Sequence, residues 1–514
     1  MHLPPPDATI YVPSLGWWKK CKLSRNSSMA LRSRTTFEFS IDVLSKAWTI
    51  MAVVLLAGCA RYRPRPILPS ETAASLEARR LDNPSFKGFL EKNLHRQLDA
   101  WPLKSWDFET LHLAALYYHS SLDVARAQWQ VAVSGDKNAA ARPNPTLSVV
   151  PGYNISAAGG LTPWFPTVTF DIPLETAGKR GFRMAQARQL SESARFNIAA
   201  AAWQVRRRLR SSLIDFTAAR LREMLLQNQK SIQERIVQSL DQQLKVGAVS
   251  SPELMLVRIA LDKIRLDLTD AQQQSREARV RVAEAIGVSA QALDGVELTY
   301  DLAQPPPTAS IPTSSEVRRQ ALETRADILA GLAEYAASQS ALQLEIAKQY
   351  PDIHLGPGYQ YDQGDHKFSM SLTAELPLFN QNQGPIAQAE ARRAEAAARF
   401  IALQAKVIIE IDRAMAIFRI SQENLDALES LVASQEKLGE AVEAQWKAGA
   451  VEQLHLLNSK IELIAVQLLQ LNGRAKAQQS FGTLEDALQR PFGSTLSPSI
   501  EESQRPKALK ENKP

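Results

Sequence analysis

Cysteine is nearly absent from this 514-residue chain: there are two, Cys21 and Cys59, and neither belongs to a CxxC pair. The seven histidines are scattered with no HxxxH spacing, so no metal-ligand set can be read from the sequence. No glycine-rich phosphate loop and no nucleophile paired with a base in a recognisable motif appears, which argues against catalysis and against a bound cofactor. Charge of one sign is also scarce. The net charge is +6, but the first 58 residues hold seven Lys or Arg against three Asp or Glu, leaving the remainder near +2, too little to indicate nucleic acid. Glycine and proline total 22 and 28, yet none occurs between Phe182 and Val246, and only Gly439 occurs between Ile386 and Lys447. Each of these runs exceeds sixty residues. As helices they would reach roughly 90 to 100 Å at 1.5 Å per residue, longer than a globular core of this size requires.

What is present is a duplication. PLETAGKRGFRMAQARQLSESARF, from Pro173 to Phe196, aligns without a gap on PLFNQNQGPIAQAEARRAEAAARF, from Pro377 to Phe400. Upstream, PTLSVVPGY at Pro145 pairs with PDIHLGPGY at Pro351, and downstream KVGAV at Lys245 pairs with KAGAV at Lys447. A repeat this long lies well beyond solenoid periods and indicates two halves of one protomer.

At the N-terminus, Ala47 to Ala57 (AWTIMAVVLLA) is an apolar run of eleven, too short to span a bilayer but suited to a signal-peptide core. Leu56-Ala57-Gly58-Cys59 follows and resembles the lipobox of bacterial lipoproteins, which implies cleavage before Cys59 and lipidation of its sulfur, with Ala60 fitting release to the outer membrane. Translation starts at Met1 or at Met29, where Arg32, Arg34 and Lys46 would form the positive n-region.

Within each repeat the apolar pattern switches period. Pro145 to Ile155 and Thr167 to Ile172 alternate, as do Ile353 to Tyr361 and Phe368 to Leu376, which predicts four amphipathic strands. About nine to eleven residues per strand suffices to cross a membrane at a tilt, but four strands cannot close a barrel, so membrane strands would require an oligomer; three protomers would supply twelve. Two ordinary hairpins in a soluble domain is the other reading of the strands alone. Helices are predicted at about 109–141 and 313–348, with Thr313 and Glu316 as a capping box. The long helices end at Gly247 and Gly449, and Ser251 with Pro252 is expected to start the next helix. That helix carries a heptad seam at Leu254, Val257, Leu261, Ile264 and Leu268, matched by Leu457, Ile461, Ile464, Leu468 and Leu471. Two shorter helices stacked end to end would match one long helix.

The lipobox, the twofold repeat of helix, strand, strand, long helix and returning helix, and the paired glycine turns together resemble the TolC family of outer-membrane efflux proteins, from Cys59 to about Arg490. The stretches RPNPTLSV at Arg142 and ETAGKRGFR at Glu175 look most like its heavy-metal branch. The resemblance implies a mainly α fold with membrane β: a homotrimer, its twelve-stranded barrel in the outer-membrane lipid and its helical tunnel in the periplasm. It also implies a periplasmic adaptor (membrane fusion) protein and an inner-membrane pump, of RND type, as partners. The adaptor-contact tips would be Val246, Gly247, Ala248 and Val249 with Ala448, Gly449, Ala450 and Val451, whose other reading is simple helix-breaking turns. The periplasmic entrance would hold Glu253, His455 and Asn458 where the family often places acidic rings; here the second-repeat aspartates are absent, and His455 also reads as simply a solvated or packed residue.

The expected organisation is a signal and upstream extension at 1–58, a lipid-anchored segment at 59–108, repeats at 109–301 and 316–490, a linker at 302–315 and a disordered tail at 491–514. The expected function is the exit duct of a tripartite efflux pump for small molecules or metal cations. A type I protein-secretion duct and a lipid-anchored periplasmic coiled-coil scaffold are the alternatives.

Overall fold

The structure, a computed structural model, describes residues 62–304 and 314–492; the signal-like run, Cys59, the alternative start Met29, Thr313 with its capping box, and the tail beyond residue 492 lie outside the described residues. The chain divides at Leu68, residues 62–68 carry no helix or strand, and the folded body begins at Pro69.

The first half of the chain runs α1 (Pro69–Glu77), α2 (Pro84–Leu94), β1 (Ser105–Trp106), α3 (Phe108–Tyr118), α4 (Ser120–Ala139), β2 (Thr146–Val150), β3 (Thr167–Leu174), α5 (Lys179–Lys245), α6 (Ser251–Ile286) and β4 (Glu297–Leu298). The second runs α7 (Ser314–Thr324), α8 (Ala326–Ala347), β5 (Ile353–Asp362), β6 (Asp365–Ala374), α9 (Gln383–Lys447) and α10 (Gln453–Leu488). Helices α5 and α9, of 67 and 65 residues, cover the two runs poor in glycine and proline. Each expected 35-residue helix preceding the strands is instead two helices, because His119 and Arg325 leave helical geometry with ψ of 121° and 133°.

Those breaks are where helices stack end to end. The long helix α5 packs against α4 and α6 of its own repeat and against α8 and α10 of the other. Gly287, the left-handed cap of α6, abuts His119 at the start of α4, and Gln489, the left-handed cap of α10, abuts the start of α8 by accepting from Ala326 N at 2.7 Å. Arginines close both joints. Arg79 Nη1 donates to the carbonyls of Tyr118 (2.5 Å) and Gly287 (2.9 Å), and Arg325 Nη1 donates to that of Ala487 (2.5 Å).

The heptad seam forms as expected: Leu254, Leu261, Ile264 and Leu268 are buried, as are Leu457, Ile464 and Leu471. Each contributes about 1.5 to 3 kcal/mol when fully buried. The helix α6 is capped one residue earlier than expected. Ser250 is the N-cap, with Glu253 N donating to its Oγ (3.4 Å) and Ser250 N donating to Glu253 Oε2 (3.0 Å), and Pro252 occupies the first turn.

Two expected boundaries shift. The part of the N-terminal segment from Pro69 to residue 108 belongs to the main core, where Phe86 and Leu90 are fully buried and Trp106 nearly so, stacked on Phe86. Phe492, expected in the tail, is buried against Phe481 and donates its backbone N–H to Glu485 Oε1 at 2.6 Å.

Candidate transport surfaces

The four strands form one antiparallel sheet in the order β2-β3-β5-β6, so the two repeats join through β3 and β5. Through the body of the sheet the register sorts side chains by polarity, the mixed pairs being Val150 with Thr167, Tyr361 with His366 and Pro173 with His354 toward the strand ends. Leu147 lies opposite Phe170, Val149 opposite Val168, Leu355 opposite Leu372 and Tyr359 opposite Phe368 on one face. Ser148 lies opposite Thr169, Gly356 opposite Ser371, Gly358 opposite Ser369 and His354 opposite Thr373 on the other. Phe368, Met370 and Leu372 are 71 to 83% exposed on the apolar face, a contiguous patch that water alone would not favour. The strands are five, eight, ten and ten residues long, so β2 is shorter than expected, its chain leaving the ladder after Val150 and touching it again only at the Tyr153–Trp164 bridge. Aromatics gather toward the hairpin ends: Tyr153 packs on Trp164, and Tyr359 and Tyr361 pack on His366.

Far along the helices lie the two tips, closed by the same hydrogen bonds. Gly247 N donates to Leu244 O (3.0 Å) and Ala248 N to Gln243 O (2.8 Å); Gly449 N donates to Trp446 O (3.0 Å) and Ala450 N to Gln445 O (2.9 Å). Both glycines have φ of 74°, the left-handed cap that glycine adopts without strain. Val246, Gly247, Ala248, Ala448, Gly449 and Ala450 are exposed, whereas Val249 and Val451 are half-buried. Val249 packs in an apolar cluster with Leu240, Leu254, Leu454 and Leu457, so the tips of the two repeats share one core. Glu253, His455 and Asn458 are all exposed beside the tips, but the carboxylate of Glu253 is engaged in its own helix cap.

Sequence reasoning missed a buried charge belt where the middle of α5 meets the last turn of α10. Arg206 and Arg210 on α5 face Glu485 on α10: Arg210 Nη1 bonds Glu485 Oε2, and Arg206 Nη2 lies 3.6 Å from the same oxygen. The ring of Phe108 is 4.8 Å from the Arg206 guanidinium and 4.6 Å from that of Arg210, a cation–π arrangement. His112 is fully buried beside them with neither ring nitrogen hydrogen-bonded, and burial together with the two arginines lowers its pKa to about 3. Burial raises Asp486 to about 7 despite the same arginines. The available signal was the spacing of Arg206 and Arg210 by four, on the same helical stripe as Ala202, Leu209 and Leu213.

Among the described residues, no group of three or more His, Cys, Asp or Glu side chains could hold a metal ion, and no helix is long and apolar enough to cross a membrane.

A twofold helical-hairpin body carrying a sheet whose faces are sorted into apolar and polar defines a helical protein with membrane-type strands. The chain belongs to the outer membrane efflux protein family, whose profile matches residues 114–288 and 317–489. Among characterised relatives it is similar to the cobalt-zinc-cadmium resistance protein CzcC of Cupriavidus metallidurans, with 22% identity over 330 residues, 63% of this chain and 77% of that protein. Its fold is similar to the CmeC outer membrane channel of Campylobacter jejuni (TM-score 0.61, 15% identity, 88% of this chain and 97% of that one). It is also similar to the open state of the MtrE outer membrane channel of Neisseria gonorrhoeae (TM-score 0.60, 16% identity, 74% of this chain and 88% of that one). The expected family, mainly helical fold and role in efflux are therefore correct.

Proposed function

We propose that the chain is the outer-membrane exit duct of a tripartite pump that expels divalent transition-metal cations. The observation that carries the duct is the sorting of the sheet, in which apolar residues face apolar ones and polar or glycine residues face one another through the body of the strands. An open four-stranded sheet in lipid leaves its outer edges, β2 and β6, unpaired at several kcal/mol per backbone group. Three copies pairing β6 of one with β2 of the next give a closed barrel of twelve strands, apolar face to lipid and polar face to the bore. The resistance to cobalt, zinc and cadmium named for the Cupriavidus relative supports metal cargo.

Cys59 anchors the chain to the outer membrane through lipid, and the exposed tips Val246 to Ala248 and Ala448 to Ala450 dock on a periplasmic adaptor, their small side chains letting backbones approach closely. The adaptor links the duct to an RND-type inner-membrane pump that supplies the energy. A ring of three Glu253 carboxylates at the entrance favours cations. Planar-bilayer conductance of the detergent-extracted protein, with its mass by light scattering, tests the duct: trimers forming discrete channels are expected, and a non-conducting monomer would leave the lipid-anchored scaffold. Loss of cobalt and zinc resistance on deletion of the gene, with polypeptide export unaffected, is the expected result against the secretion-duct alternative.

A further inference from the structure

We propose that Asp171 and His354 form a weak contact site for a divalent cation of the zinc or cobalt kind on the polar face of the sheet, one per protomer. The inference rests on the metal-exporting reading above and deepens it. The two residues lie on adjacent strands β3 and β5: His354 stands opposite Pro173, and Asp171 is two positions along β3, on the same face. His354 Nδ1 lies 3.0 Å from each carboxylate oxygen of Asp171. Both side chains are open to the surroundings, His354 at 39% and Asp171 at 48% exposure.

That spacing suits a metal as well as a proton. Ligand atoms about 2.1 Å from a cation and set at about 90° to one another stand about 3.0 Å apart, the separation of neighbouring positions in an octahedral shell. A cation can therefore replace the hydrogen between His354 and Asp171 without moving either strand. Coordination requires the tautomer with its ring proton on Nε2, so that Nδ1 presents its lone pair while the carboxylate supplies the charge. Imidazole selects zinc and cobalt over magnesium and calcium, which prefer cages of oxygen.

The surroundings supply what an exit path requires. Neighbours on this face are Thr146, Ser148, Thr169, Gly356, Gly358 and Ser371, which are uncharged and poor ligands for such cations. Asp352, near the base of the sheet, has Oδ1 held by Lys179 Nζ (2.7 Å) and Thr176 N (2.9 Å), so it acts as a fixed charge. Two protein ligands with water in the remaining positions bind loosely and release quickly, so the cation is received at the junction of tunnel and sheet without being trapped.

The test is single-channel recording of the intact protein with millimolar cobalt or magnesium chloride in the bath. Brief cobalt-dependent blocks are expected, with magnesium inert, and Asp171→Asn and His354→Gln should each weaken the block about tenfold or more. Asparagine can still accept the Nδ1 hydrogen bond, so a pair that only fastens β3 to β5 would leave the block unchanged in that variant. An equal cobalt block in wild type and both variants, or none in channels that conduct, overturns the site and leaves the duct standing. Should no channel form, the duct reading falls; the difference in cobalt d–d absorption between wild type and His354→Gln then decides the site, a nitrogen-ligand band being expected and its absence overturning it.

Discussion

Gly287 and His119 meet backbone to backbone: a Cβ built on Gly287 would sit 2.8 Å from His119 Cα and 3.0 Å from the Tyr118 carbonyl oxygen. With φ of 88°, Gly287 also occupies the left-handed region. Gly287→Ala therefore meets both strain and collision at the joint where α6 stacks on α4. Gly247 and Gly449 share the left-handed geometry, but nothing lies within 4 Å of an added Cβ at either. Alanine there should cost about 1 kcal/mol from backbone strain alone. Urea unfolding of the purified protein should show Gly287→Ala more destabilising than either tip variant by about 1 to 3 kcal/mol.

The charge belt predicts two opposed pH slopes. His112 is held at about 3 in the fold, whereas the unfolded chain takes up its proton below about 6.5. The unfolded state binds more protons between those values, so the stability from keeping His112 neutral is complete above pH 6.5 and is lost as the pH falls toward 3. Asp486 is the reverse. Its folded pKa of about 7 exceeds the unfolded value of about 3.9, so stability is complete below pH 4 and is lost as the pH rises to 7. His112→Leu should raise stability more at pH 4.5 than at pH 7.5, and Asp486→Asn more at pH 7.5 than at pH 4.5. Denaturant midpoints at the two pH values measure both; equal shifts at both would contradict the assignment.

The duplication, the long helices and the seam were legible because they rest on periodicity and on missing glycine and proline, which act locally. The break at His119 was not. His119 caps α4 through its own ring, Nδ1 accepting from Ser121 N at 3.2 Å, a cap that histidine rarely signals, and the partner that packs on the break, Gly287 at the end of α6, lies far away along the chain. The glycine turns were legible from local chemistry, but the burial of Val249 depends on Leu454 and Leu457 of the other repeat. Neither the sorted faces across β3 and β5 nor the pairing of Asp171 with His354 could be read from single strands, since alternation sets which residues share a face but not the register between strands. Arg206 and Arg210 were passed over because charged residues on a long helix are ordinarily solvated, and only the arrival of Glu485 on α10 makes them a core element.

Ser250 and Glu253 separate a structural role from an electrostatic one. Each caps the other, so Ser250→Ala and Glu253→Gln should both destabilise the start of α6, by about 0.5 to 2 kcal/mol for the serine. Only Glu253→Gln removes charge from the proposed entrance ring. Cation preference, read as the reversal potential under a salt gradient, should fall in Glu253→Gln and stay unchanged in Ser250→Ala; equal behaviour would assign Glu253 to the cap alone.

The two faces of β6 predict opposite tolerance to the same lysine. Leu372 is 71% exposed on the apolar face, paired with Leu355, and the duct reading turns it toward lipid. A lysine there should cost about 2 to 4 kcal/mol if it sits near the bilayer midplane, where neither water nor a counter-charge reaches it. Ser371, the residue before it, points to the opposite face, opposite Gly356, where the same reading supplies water in the bore. Ser371→Lys should therefore still assemble in the outer-membrane fraction as a heat-modifiable trimer and change only conductance and ion preference, while Leu372→Lys should reduce the assembled fraction. If instead Ser371→Lys blocks assembly and Leu372→Lys does not, the sheet faces the other way, and the bore would be lined by its apolar side.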